Sequence, residues 1–325
     1  VTTGFIPSFT TRETTPRKPM VVFGIPSFMG SPCEEFMISY IDTISALGNA
    51  GIPSATVFVP RDPYLSKARN NIATNFIRGW PMATHLFFLD DDIGWPGSKV
   101  VEFVKRDLDL ITGVYPKKTD AGEYPCQVML DDNGGLIEKD GLVKAVLAPT
   151  GFMCIKRHVL EKMAAQSGMY VDTTNPNPTD ANLHFNIFDM GFFLPSGERP
   201  VNQGGKIGEF WGEDYYFVRR WRDMGGEVWV DPHIDFSHRG SKVWRGNFQS
   251  LIMAWREQQK VKDDERDRNA TGGIAAGDPA AGAVARSGGL AEPPGRGLPG
   301  AEGTVRTQDG AAAGGTESAA ADERA

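Results

Sequence analysis

Short apolar runs alternate with amphipathic stretches through the first half of the chain. Met20–Ile25, Ala55–Val59, His85–Leu89 and Leu110–Val114 read as strands. Between them, Glu34–Leu47, Tyr64–Arg78 and Ser98–Arg106 carry apolar residues at helical spacing. In the first of these helices Phe36, Tyr40, Ile41, Ile44 and Leu47 fall on one face, and Gly48 or Gly51 supplies the stop. The β-α-β-α-β-α-β order predicts an α/β fold whose mostly parallel central sheet has helices on both faces. Ligands of such sheets sit beyond the carboxyl ends of the strands. Pro26, Pro60, Asp90 and Tyr115 follow strand ends and are expected to line one rim.

The second half is less regular. Gln127–Leu130 and Lys144–Leu147 read as a β-pair near an Asn133-Gly134-Gly135 turn. Phe152–Ile155 is a strand leading into the helix Arg157–Ala165. The stretch from Val171 to Gly208, full of Pro, Gly, Asn and Asp, reads as a long functional loop over the acceptor side. Glu213–Met224 is a helix with Phe217, Val218, Trp221 and Met224 inward. Glu227–Val230 is a strand and Asn247–Gln258 a final helix. Residues 1–17 are polar and read as a flexible segment, with the folded part spanning 18–262. From 263 to 325 the chain turns to Ala and Gly with few large apolar residues, a composition that predicts disorder.

Hydrophobic residues make up 40% of the 325 and charged residues 23%, enough for a sizeable core. A net charge of -7 implies no general affinity for nucleic acid or anionic membrane, so an anionic ligand needs local cations. The three cysteines, Cys33, Cys126 and Cys154, are too sparse for a disulfide framework or a zinc cluster. The N-terminal stretch lacks the apolar core of a signal peptide, and no apolar run is long enough to span a bilayer. A cytoplasmic location is the expectation.

Candidate chemistry centres on His85-Leu-Phe-Phe-Leu-Asp90-Asp91-Asp92. Alternation along an extended chain puts Asp90 and Asp92 on one side and Asp91 on the other. Two carboxylates so placed repel unless a cation lies between them, and a divalent ion shared with a diphosphate suits oxygen ligands. The other reading is a polar turn. Glu213 and Asp214 stand in the first turn of their helix, either as favourable helix-dipole partners or as a general base. His238 is a third metal ligand if it meets the aspartates, and nitrogen ligation favours Mn²⁺ over Mg²⁺. Asp62 near a nucleoside and Arg69 near its diphosphate compete with a solvated helix face.

In this order, Ile25-Pro26-Ser27, Ala68-Arg69-Asn70, Asp90–Asp92, Thr150-Gly151-Phe152, Gly212-Glu213-Asp214 and His238 resemble the nucleotide-sugar glycosyltransferases of the GT-A fold, family 2-like, over about Met20 to Gly246. The resemblance implies a GT-A fold with a nucleotide-binding half, 18–118, and an acceptor half, 119–262. It implies metal-dependent transfer of a sugar from a UDP- or GDP-linked donor to an acceptor hydroxyl, with inversion as the hypothesis and retention left open. The acceptor, whether glycan, lipid-linked or protein, is left open. Pro26, Asp62, Arg69, Asn70, Asp90, Asp91, Thr150 and Gly151 would serve the donor, and Asp90, Asp92 and His238 the metal. Asp214 or Glu213 would be the base. Pro60-Arg61-Asp62-Pro63 departs from the acidic Gly-Ser turn of many relatives. A sugar-phosphate nucleotidyltransferase is disfavoured, because Pro26–Ser31 has no basic residue. A non-catalytic nucleotide- or carbohydrate-binding protein is the alternative outside enzymes. Trp211, Trp244, Phe192 and Phe193 could stack on sugar faces as readily as fill a core.

Overall fold

The computed structural model describes residues 17–172, 179, 182–194 and 208–272. In chain order these form β1 (Val21–Ser27), α1 (Glu34–Asn49), β2 (Ser54–Pro60), α2 (Leu65–Gly79), β3 (His85–Leu89), β4 (Ile93–Gly94), α3 (Ser98–Arg106) and β5 (Leu110–Gly113). There follow β6 (Gln127–Val128), β7 (Glu138–Lys139), β8 (Leu142–Leu147), β9 (Phe152–Lys156), α4 (Arg157–Gln166), β10 (Met169–Val171), β11 (Leu183–Phe185) and β12 (Gly191–Phe193). The described chain closes with β13 (Glu209–Trp211), α5 (Glu213–Asp223), β14 (Trp229–Asp231), β15 (Asp235–Arg239), β16 (Val243–Asn247) and α6 (Phe248–Gly272).

The main sheet runs β2-β1-β3-β9-β5-β14-β8-β6. Strands β2, β1 and β3 are mutually parallel, and β14 is parallel to β5. The returning strand β9 is antiparallel to both β3 and β5, and β8 is antiparallel to β14. The sheet is therefore mixed in its pairing. Most of its strands still point the same way, so their carboxyl ends share one rim.

Period-2 alternation splits the core into two layers. On β3, Leu86 and Phe88 join Ile72 and Phe76 of α2, Leu160 of α4, Phe217 and Trp221 of α5 and Phe248 of α6. Phe87 and Leu89, on the opposite face, join Phe36 and Leu47 of α1 and Val100 and Phe103 of α3. Both faces of the central strands are covered, which is why they read as unbroken apolar runs.

Several expectations need correction. On α1 the inward positions are Phe36, Ser39, Thr43 and Leu47, whereas Ile41 and Ile44 face outward. The cause is Trp95: its backbone N–H donates to Ser39 Oγ at 2.8 Å and its indole Nε1 to Thr43 Oγ1 at 2.9 Å. A buried indole selects a polar stripe that hydrophobic spacing does not reveal. The Val171–Gly208 stretch is less bare than expected. It contributes β11 and β12, which pair with β10 and β13, while 173–178, 180–181 and 195–207 lie outside the described residues. The last helix runs to Gly272, ten residues beyond the expected end of the folded part. The disorder expected from 263 to 325 thus does not hold over 263–272, which are helical; the rest of it, and the flexible segment expected at 1–17 apart from residue 17, lie outside the described residues. Among the described residues no helix is long and apolar enough to cross a membrane.

Candidate functional site

The aspartates stand where β3 leaves the sheet. Asp90 N–H donates to Gly151 O at 2.8 Å, tying the strand end to the loop before β9. The chain then turns at Asp91 and Asp92, so the alternation expected of an extended strand stops there. All three aspartates line one cleft of about 250 Å³, together with Pro26, Ser27, Phe28, Asp62, Tyr115 and His238. The cleft sits at the carboxyl ends of β1, β3 and β5, as the topology requires.

Each aspartate has its own partners. Asp90 accepts from Arg69 Nη2 at 2.9 Å and from Tyr115 Oη at 3.0 Å. Asp91 accepts from the Ser27 hydroxyl, and burial raises its pKa. Asp92 accepts from Lys118 Nζ and faces His238 Nε2 at 3.4 Å. Burial alone would raise the Asp92 pKa, but bonds from His238 and Lys118 outweigh it and the pKa falls.

His238 reaches Asp92 through the small sheet β16-β15-β4. Antiparallel pairing sets His238 opposite Ile93, and Arg239 N–H donates to Asp92 O at 2.7 Å. His238 Nδ1 lies 2.7 Å from Pro116 O. A carbonyl oxygen only accepts, so Nδ1 carries a proton, and Nε2 is the ring nitrogen that meets Asp92. That is the orientation in which a histidine anchored through Nδ1 offers Nε2 to a metal.

Asp90 does not complete the expected trio, because Arg69 and Tyr115 hold its carboxylate. Among the described residues no group of three His, Cys, Asp or Glu side chains is placed to hold a metal. Asp92 and His238 fit instead as a two-ligand set. A small divalent cation in a phosphate site takes one or two protein ligands and fills its shell with phosphate oxygens and water.

Arg69 and Asn70 are both buried, and neither is among the residues that line the cleft. Arg69 is 2% exposed and packs over the Phe88 ring. Its Nε donates to Glu213 Oε1 at 3.3 Å, so it bridges Asp90 and Glu213 from beneath the cleft. Burial would lower its pKa, but the charges of Asp90 and Glu213 prevail and raise it. Asn70 exchanges hydrogen bonds with Phe188, N–H to Oδ1 at 2.7 Å and Nδ2 to O at 3.2 Å. Its amide locks that loop onto α2. The Asp62 carboxylate lines the cleft, accepts from Tyr64 N–H at 3.1 Å and lies 3.7 Å from Lys67.

Thr150 is buried, with no hydrogen-bond partner for its hydroxyl. A Cβ on Gly151 would meet Asp90 Oδ2 at 2.2 Å and Tyr115 Oη at 2.3 Å, so only glycine lets this loop approach the aspartate. Glu213 is held by Arg69. Asp214, half-buried in the first turn of α5, has its pKa raised to about 6 by burial and by the adjacent Glu213 charge. Its Oδ1 accepts from Tyr215 N–H at 2.7 Å. Phe193 stacks on Trp211 with ring centroids 4.9 Å apart, and both are buried, so these two rings pack against each other. Trp244 Nε1 donates to Asp120. Phe192 is 38% exposed.

Sequence reasoning did not assign roles to Ser27, Phe28 and Lys118, and it placed Tyr115 on the rim without a partner. The only sequence signal for them was position, just past a strand end on the shared rim.

The fold and the cleft define an α/β protein with an acidic, partly cation-neutralised cleft at the carboxyl ends of its aligned strands. No family model matches the chain, and no curated protein matches it. Among solved structures, A197 from STIV aligns with 69% of this chain and 86% of its own, at 20% identity and a TM-score of 0.38. A glycosyltransferase involved in the glycosylation of the major capsid of PBCV-1 aligns over 46% of this chain and 66% of its own, at 11% identity and a TM-score of 0.25. HddC from Yersinia pseudotuberculosis aligns over 44% and 79%, at 11% identity and a TM-score of 0.24.

Proposed function

We propose that this protein is a nucleotide-sugar glycosyltransferase that uses a divalent cation at Asp92 and His238. The observation that carries the reading is the pairing of those two side chains. They come from separate elements, lie 3.4 Å apart, and present an imidazole Nε2 and a carboxylate to one point in a cleft. That combination recognises a cation, and the cation recognises a diphosphate.

In this reading Pro26, Phe28 and Asp62 form the nucleoside side of the cleft. Phe28 is 64% exposed and offers a ring face to a base. When bound, the cation supplies Lewis-acid stabilisation to the departing diphosphate. Asp92 and His238 hold it. Asp90, fixed by Arg69 and Tyr115, orients the donor beside Thr150 and Gly151. Asp214 takes the proton of the acceptor hydroxyl. Its raised pKa makes it a stronger base than an ordinary carboxylate, and it remains mostly ionised near neutral pH. Glu213 is less suited to that role, since Arg69 holds its carboxylate. One attack from the face opposite the leaving group gives inversion. Mn²⁺ is the favoured ion because of the nitrogen ligand.

The test is hydrolysis and transfer from a panel of UDP- and GDP-sugars with Mn²⁺, beside the Asp92→Asn variant. Turnover that needs Mn²⁺ and disappears in the variant supports the reading. Tight nucleotide binding with no turnover against glycan, lipid-linked or protein acceptors would leave a binding protein instead. NMR of the product anomer decides the stereochemistry, and a retained configuration rejects inversion.

A further inference from the structure

The two oxygens of Asp92 have different neighbours. Oδ1 faces the imidazole, and Oδ2 accepts from the Lys118 ammonium. Nδ1–H is committed to Pro116 O, so Nε2 is the ring nitrogen that meets the carboxylate. A buried carboxylate is stabilised by a positive charge within hydrogen-bond reach. Lys118 provides it, from within the chain.

The segment carrying Lys118 is braced for that position. Lys117 N–H donates to Glu123 O at 2.8 Å, closing the loop after β5. Asp120 accepts from Trp244 Nε1 at 3.0 Å and pairs with Lys242, which pins the loop to the β15–β16 hairpin. A Cβ on Gly240 would lie 3.1 Å from Lys118 Cδ, so the lysine stem runs along the hairpin turn. The backbone is held on both sides, and the side chain, 38% exposed, meets Asp92 at its tip. A tether of this kind places an ammonium at the site without fixing it there.

We propose that Lys118 is a tethered counter-cation, which holds Asp92 before a divalent ion arrives and is displaced by that ion. The proposal rests on the cation role assigned above to Asp92 and His238. An ammonium and a divalent ion repel strongly at a few ångströms, so they do not share one carboxylate. The displaced ammonium stays within a side-chain length of the cleft, where a diphosphate oxygen is its natural partner. Ion binding alone therefore has to break the Lys118–Asp92 contact without replacement, whereas ion binding with nucleotide replaces it. The ion and the nucleotide are coupled through this side chain, and the coupling is reciprocal.

The experiment titrates Mn²⁺ into the full chain and counts the free ion by EPR, with and without UDP or GDP. Wild type is compared with Lys118→Met, Lys118→Arg and Asp92→Asn, and thermal melting confirms that each variant is folded. Lys118→Met is expected to bind Mn²⁺ alone about ten-fold more tightly, the order expected for losing a partly buried competing pair. It should also show a smaller tightening of Mn²⁺ by nucleotide. Lys118→Arg keeps the charge and should stay near wild type. A purely structural lysine would not produce this opposite movement of ion affinity and coupling. If Mn²⁺ binding depends on Asp92 but Lys118→Met leaves it unchanged or weaker, the counter-cation role is overturned and the cation site stands. If neither wild type nor Lys118→Met binds Mn²⁺ through Asp92, the cation reading falls and takes this proposal with it.

Discussion

Replacing Arg69 by Met tests whether this side chain serves the fold or a phosphate. Arg69 is 2% exposed and bridges Asp90 and Glu213, whose side chains are 20% and 12% exposed. Methionine keeps much of the volume and the helix propensity. What it removes is the charge that neutralises two carboxylates. Taking one partner from a buried ion pair costs about 3–5 kcal/mol, because the remaining charge is left unpaired. Both carboxylates retain some water, which places the loss at the lower end, about 3 kcal/mol. For a domain of this size that lowers Tm by about 6–12 °C. Urea unfolding followed by circular dichroism reads the change directly. The triple variant Arg69→Met, Asp90→Asn, Glu213→Gln should recover most of the loss, since no unpaired charge remains. A single variant within about 1 kcal/mol of wild type, yet with weakened nucleotide affinity, would refute the argument. Arg69 would then contact phosphate, as its sequence position first suggested.

Other outcomes follow from the same geometry. Gly151→Ala forces a methyl into contact with Asp90 and Tyr115, costing about 1–3 kcal/mol and weakening nucleotide binding; melting and calorimetry check both. Asn70→Ala strips three hydrogen bonds from the loop at 186–188, costing about 1–3 kcal/mol in urea unfolding while leaving nucleotide affinity unchanged. Asp214 has a folded pKa of about 6 against an ordinary 3.8. Its contribution to stability is thus fully present below about pH 3.8 and is lost as pH rises through about 6. Asp214→Asn should therefore gain in Tm over wild type between about pH 5 and about pH 8, and equal melting curves at both would reject the shift. With Asp214 as base, the transfer rate of wild type should fall as pH drops through about 6, which a pH–rate profile measures.

Read from the sequence alone, the strands and helices of the first half, the two-residue β4 excepted, came out within a few residues of their observed ends. Their apolar period is local, and β1, β3 and β5 are buried on both faces, so the signal is strong. The aspartates at the tip of β3 were legible for the same reason: a buried run that ends in three carboxylates marks the end of a strand. Less was legible in the second half. The hairpin β15–β16 was missed because Asp235–Arg239 mixes charged and apolar residues. It is a ribbon outside the main sheet, held by pairing to β4 and by the single buried ring of Phe236 rather than by a repeating apolar stripe.

Composition and hydrophobic period by themselves determined an α/β fold and a rim at the strand ends where three aspartates collect. Only the tertiary structure decided which charges meet there. It placed His238 and Lys118 on Asp92, sank Arg69 between Asp90 and Glu213, and spent Asn70 on a loop. The physical reason is range. Burial pattern is encoded turn by turn, whereas the partner of an ion is set by segments far apart in the chain that meet only once the sheet has assembled.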